Sequence, residues 1–243
     1  MWLLLLLGPF LFIQRWVHQE IMAVLLLLTR RQGIALIIFS LIFIPGVFLH
    51  ETSHYLSARL LGVRTGRFSV FPKLKGEGKL QLGYVETVSK DIFRDAIVGA
   101  APILLGSLSI ALIGYYPLNL SAVWDHLVQG GGNSVLIILD VFHQSDFWLW
   151  FYLAFVISST MFPSRSDRRA WLPLIFFVSI VGMLMILLGA GPWLAANLAD
   201  PMIGIMRSLI VVLSISLLIH LIVWLPMALI RRLLSRIFRL EVV

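Results

Sequence analysis

The chain has 243 residues, of which 60% are hydrophobic and only 13% charged. A soluble domain carries about 25% charged residues, so this composition excludes an ordinary soluble domain and predicts a polytopic membrane protein whose backbone groups in lipid are satisfied by helices. The net charge is +7 and there is no cysteine. Disulfides and thiolate metal sites are therefore excluded. The positive balance points to membrane orientation and lipid headgroups, not to nucleic acid.

Residues 1–33 come first. Trp2 to Ile13 is apolar, but no positive region precedes it and no small-residue cleavage site follows, unlike a signal peptide. Gln14, Arg15, His18 and Gln19 then share one helical face opposite Phe12, Ile13, Trp16 and Val17. This predicts an amphipathic helix in the interface or a tilted extra span. Five apolar runs follow as predicted spans: Ile34–Leu60, Ala96–Tyr116, Phe147–Pro163, Leu172–Ala190 and Ile203–Ile230. Pro45-Gly46 is expected to bend the first. The fold class expected is all-α, with about five to six transmembrane helices.

Between the first two spans lies a polar insert, 62–95. Phe68–Phe71 and Leu80–Val85 have strand character, with Lys75-Gly76-Glu77-Gly78 as the turn between them. A β-hairpin or small sheet is expected there. Between the second and third spans, Gly130–Asn133 forms a flexible break between two runs too short to cross a bilayer.

Basic residues set the expected orientation. The insert and its borders carry Arg59, Arg64, Arg67, Lys73, Lys75, Lys79, Lys90 and Arg94. The link after the third span carries Arg165, Arg168 and Arg169, and the tail Arg231, Arg232, Arg236 and Arg239. Five alternating spans put all three regions on one side, which the positive-inside rule makes cytoplasmic. Arg15, Arg30 and Arg31 fall on the other side. A multi-pass protein of a bacterial cytoplasmic membrane is expected, with basic loops and C-terminus inside.

The chemistry lies in His50-Glu51-Thr52-Ser53-His54, an HExxH motif at the end of an apolar run. Histidines at i and i+4 share a helical face and can ligate one Zn²⁺. The adjacent Glu51 can take a proton from an attacking water. An ionisable cluster is costly inside a membrane and marks a functional site. The plain alternative is a helix end whose polar groups meet water at the interface. A catalytic zinc needs a third protein ligand. The topology puts the ends of the first and third spans at one depth, and Asp167 is the candidate there. Its alternative role is a surface carboxylate paired with Arg165, Arg168 or Arg169. His126, Asp140, His143 and Asp146 fall on the far side. His220 reads as a lone helix histidine with a local hydrogen bond, and Glu86 belongs to the insert.

From His50 to Val63 the chain resembles the site-2 protease family of intramembrane zinc metalloproteases. HExxH is followed by Ala58 and Gly62 at the family's spacing, and the strand-bearing insert looks like the family's membrane-associated sheet. Gly99-Ala100-Ala101-Pro102 is similar to its small-residue-plus-proline motif, and Pro163 with Asp167 resembles its Pro-to-Asp motif. Ser53, Thr160, Arg168 and Arg169 depart from the usual residues, and the Pro-to-Asp spacing is one residue shorter. The resemblance covers about 34–171 and implies a core holding zinc through His50, His54 and Asp167, with Glu51 catalytic. The expected substrate is a membrane-protein helix, unwound and held by an edge strand of the insert. Residues 172–243 are expected as two further spans and a basic tail. Two other functions fit the composition. One is a non-proteolytic structural or accessory subunit of a membrane complex on the same fold, with other membrane subunits as partners. The other is a transporter using His and Glu as a proton relay.

Overall fold

The computed structural model describes residues 2–75, 79–88, 90–120, 142–144 and 146–239. Expectations for the Gly130–Asn133 break, for His126 and Asp140, and for the 76–78 part of the turn lie outside these residues. The chain is largely helical, with small two-stranded sheets in the insert. Trp2–Thr29 forms α1 and Gln32–Leu60 forms α2. Arg30 makes the reversal between them with a positive φ of 52°. After the insert come α3 (Ile92–Tyr115), α4 (Phe147–Thr160) and α5 (Trp171–Met185). A short π-helical segment, Ile186–Ala190, leads into α6 (Gly191–Phe238).

Among the described residues, Leu5–Thr29, Gln32–Leu60, Ile92–Tyr115 and the joined run Trp171–Phe238 are long and apolar enough to cross a membrane. α4 is apolar but has only 14 residues. At 1.5 Å per residue it spans about 21 Å, less than a hydrocarbon core of about 30 Å.

The core lies where α1, α2, α3, α4 and the second half of α6 meet. Phe10, Val17, Phe43, Ile110 and Val156 are all fully or almost fully buried there. α1 is thus an integral member of the bundle; of its polar stripe, Gln14 and His18 are half-buried while Arg15 and Gln19 are exposed. α1 runs antiparallel to α2, with His18 edge-on to the rings of Phe39 and Phe43. It runs parallel to α6. Phe10 meets His220, Trp16 stacks on Trp224, Glu20 pairs with Arg231, and the Arg30 guanidinium lies over the Phe238 ring.

That pairing corrects the expected topology. No loop lies at 191–201 between the two C-terminal apolar runs. Residues 191–201 are helical and continue into α6, which has 48 residues and a length of about 72 Å. Between Trp171 and Phe238 the helical backbone is interrupted at a kink at Gly189, with φ 87°, and Ala190. The tail therefore ends beside Arg30, at the end of α2 opposite the insert. Arg232, Arg236 and Arg239 join Arg30 and Arg31 instead of the insert's basic cluster.

The insert is one long hairpin in two ladders. β1 (Thr65–Ser69) pairs antiparallel with β4 (Tyr84–Thr87), placing Phe68 opposite Val85 and Ser69 opposite Tyr84. β2 (Lys73–Lys75) pairs with β3 (Lys79–Gln81), Leu74 opposite Leu80. The strand expected from Leu80 to Val85 is broken at Leu82-Gly83, where the chain leaves the ladder to pass over α2.

Candidate metal centre

α2 runs through Pro45 without interruption and carries the HExxH motif in its second half. The close approach of α4 depends on Gly46: a Cβ there would lie 2.2 Å from the Val156 carbonyl oxygen. α2 ends just past the motif. Gly62 takes φ 67°, and the Val63 amide donates back to the Ala58 carbonyl at 2.8 Å. This is the bonding of a Schellman cap, which needs a residue that tolerates positive φ.

The i, i+4 spacing brings the imidazoles together, with His54 Nε2 3.2 Å from His50 Nε2. Asp167 Oδ2 lies 3.6 Å from His54 Nε2 and 3.9 Å from His50 Nε2. These three side chains, expected as a group from the sequence, are together in space and could hold one metal ion. His54 Nδ1 donates to the Val98 carbonyl of α3 at 2.8 Å. With that proton on Nδ1, the Nε2 lone pair faces the other two ligands, the usual device for orienting a metal-binding histidine.

Asp167 is placed by its own turn and by α3. The Ser164 amide donates to Asp167 Oδ2 at 2.7 Å. Partial burial pushes the carboxyl up, but His54 and the hydrogen bonds from Ser164 outweigh it and hold the group down to about 2. It is therefore an anion at neutral pH. Among the described residues the carboxylate turns to His50, His54 and Ser164, not to Arg165, Arg168 or Arg169. A Cβ on Gly99 would lie 2.0 Å from the Asp167 carbonyl oxygen, so the link can reach this depth only against a glycine.

Glu51 is only 8% exposed and lines the same cavity of about 620 Å³ as the three ligand candidates. Its nearest cover is the insert. A Cβ on Gly83 would meet Glu51 Cγ and Val47 Cγ1 at 2.8 Å. Tyr84, Val85 and Thr87 of β4 line the cavity beside it.

Sequence reasoning missed the roles of Gly83 and Ser164. Gly83 was hidden inside a strand-like run. Ser164 carries a signal that could have found it, since a serine three residues before an acidic residue is the capping-box pattern. Of the rivals, His220 is fully buried, bonding the Ser216 carbonyl one turn back and also Ser159 Oγ at 3.0 Å. Glu86 accepts from the Arg67 amide within the sheet. Neither joins the cluster. No protein-family model, curated protein or solved structure matches this chain.

Proposed function

We propose that this chain is an intramembrane zinc metallopeptidase that hydrolyses peptide bonds in or near transmembrane segments of other membrane proteins. One observation carries the reading: an HExxH helix deep in an apolar bundle meets a carboxylate from another element, with the glutamate in the same cavity. The spacing fits zinc. Bonds of about 2.0–2.1 Å in a tetrahedron set ligand atoms about 3.3–3.5 Å apart, against the 3.2, 3.6 and 3.9 Å found. Two neutral imidazoles and one carboxylate are a common catalytic zinc set and leave a fourth position open. When bound, zinc supplies Lewis acidity that polarises the scissile carbonyl and acidifies water.

The chain's own residues supply the rest. Glu51 takes a proton from the attacking water while the water oxygen bonds to the carbonyl carbon. The C–N bond then breaks, and Glu51 passes the proton to the leaving amine. Burial of Glu51 under Gly83 keeps bulk water from competing for that proton. Val85 and Thr87 of β4 border the cavity, where strand addition can hold an unwound substrate segment and present backbone instead of a satisfied helix. The four long apolar segments support a membrane location. The basic residues of the insert and the 164–170 link favour the cytoplasm for that face. The testing experiment is cleavage of reconstituted single-span substrates by wild type and Glu51→Gln, with zinc measured in both. Equal cleavage by both, or no stoichiometric zinc in wild type, would refute the reading and favour a structural subunit.

A further inference from the structure

A second cavity, of about 900 Å³, lies between α1, α2 and α6. α1 and α6 fall mostly or wholly outside the stretch that carries the protease resemblance. The cavity is polar for its setting. Gln14, Arg15, His18, Gln19 and Glu20 of α1 and Arg231 of α6 line it, within helices otherwise long and apolar enough to cross a membrane. Polar groups at such positions face a water-filled space or each other. Glu20 and Arg231 pair. Arg15 and Gln19 reach its exposed rim, and His18 lies half-buried at its inner wall.

His18, Phe39 and Leu82 line both cavities, so they form the wall between this space and the metal centre. His18 is the polar member of that wall. Its Nε2 is buried with no hydrogen-bond partner among the described residues. A buried unsatisfied nitrogen is costly unless an ordered water meets it. Polar groups continue from there toward the metal centre. Gln14 Nε2 donates to the Ser159 carbonyl at 2.6 Å, and Ser159 and Thr160 line the metal cavity.

We propose that the second cavity is a water-filled vestibule that supplies the metal cavity past His18. The proposal rests on the peptidase reading for its need: each hydrolysis consumes one water. A substrate strand on β4 covers the insert side of the site, and Leu82-Gly83 already closes over Glu51. Water replacing the one consumed then enters from behind, through the wall that His18, Phe39 and Leu82 form between the two cavities.

The chain's lack of cysteine gives a clean labelling background. In the zinc-loaded full chain in lipid vesicles, Gln19→Cys and Ala23→Cys report on the vestibule. Leu41→Cys reports on an exposed apolar position of α2 outside both cavities. The probe is a small trimethylammonium methanethiosulfonate, which reacts with a water-solvated thiolate. Labelling at the two vestibule positions is expected to be at least about tenfold faster than at Leu41→Cys. Equal rates at all three would overturn the vestibule. In a second arm, His18→Leu is expected to lower kcat at least about tenfold with KM and zinc content unchanged, and His18→Gln to restore most of it, because Gln can still hold a water. Wild-type kcat in His18→Leu would overturn the supply route. If the unsubstituted chain cleaves nothing, the peptidase reading fails, and the labelling arm still decides whether the vestibule holds water.

Discussion

The long helices of the metal-centre half and the α5-to-α6 arm are both apolar in sequence but are built in opposite ways. Around the site, glycines mark backbone contacts. Gly46 meets α4, Gly99 meets Asp167, and a Cβ on Gly106 would lie 2.5 Å from Met161 Cβ. In the arm, Gly182, Gly191 and Gly204 have nothing within 4 Å of an added Cβ, and no residue of α5 is buried. The first buried residue of α6 is Val212. Apolar side chains alone do not pull helices together in lipid, where close backbone approach and polar contacts must do so. Hydropathy therefore marks both regions alike, and small residues at crossings mark the one that is assembled.

The largest effect should come from within the assembled half. His54→Ala removes the ligand that α3 orients, leaving two. Zinc content of the purified protein is expected to fall from stoichiometric to near background, and cleavage with it, as checked by metal analysis. Glu51→Gln separates binding from chemistry in the same cavity. Zinc should stay, because Glu51 is outside the ligand set, while kcat falls by on the order of 10²–10⁴-fold, the usual share of general-base catalysis.

Glycine substitutions address the contrast directly. Gly99→Ala forces a Cβ into the Asp167 carbonyl, and overpacking of this kind costs about 1–3 kcal/mol. The cost should appear as weaker zinc retention during chelator titration as well as a lower melting temperature. Gly204→Ala, in the middle of the exposed helix, should stabilise slightly, by up to about 1 kcal/mol, through helix propensity alone. A destabilising Gly204→Ala would show that the arm is packed in the membrane, erasing the distinction between the halves. Smallest should be the zinc response to Gly189→Ala. The positive φ there costs an alanine about 1–2 kcal/mol of local strain, yet metal affinity should not change, since Gly189 has nothing near it.

Much of the site was legible because its logic is local. His50 and His54 are one turn apart, and helical periodicity alone puts them on one face. Asp167 required only that two helices end at the same depth. Gly83 was not legible, because what defines it is contact with Glu51, 32 positions earlier, while its neighbours read as strand. The polar stripe Gln14–Gln19 was seen, but the same pattern serves a helix lying on a membrane and one built into a bundle. Only the packing of Phe10 and Val17 decides between them. The C-terminal topology failed for a related reason. Hydropathy gives the lengths of two apolar runs but not their directions, and a linker without charges, 191–199, continued as helix where a loop was expected.

The pairing of α1 with α6 has a consequence for how the molecule comes to exist. Glu20 meets Arg231 across 211 positions of chain, so α1 must wait while those residues are synthesised before its partner emerges. Until then its inward-facing Gln14, His18 and Glu20 lack the helix that closes the bundle around them. The candidate metal ligands on α2 and the 164–170 link are made well before this docking. A nascent chain stalled after residue 170 would thus hold every candidate ligand but lack the sixth helix. Assembly order alone would keep an incompletely made molecule from becoming the finished one.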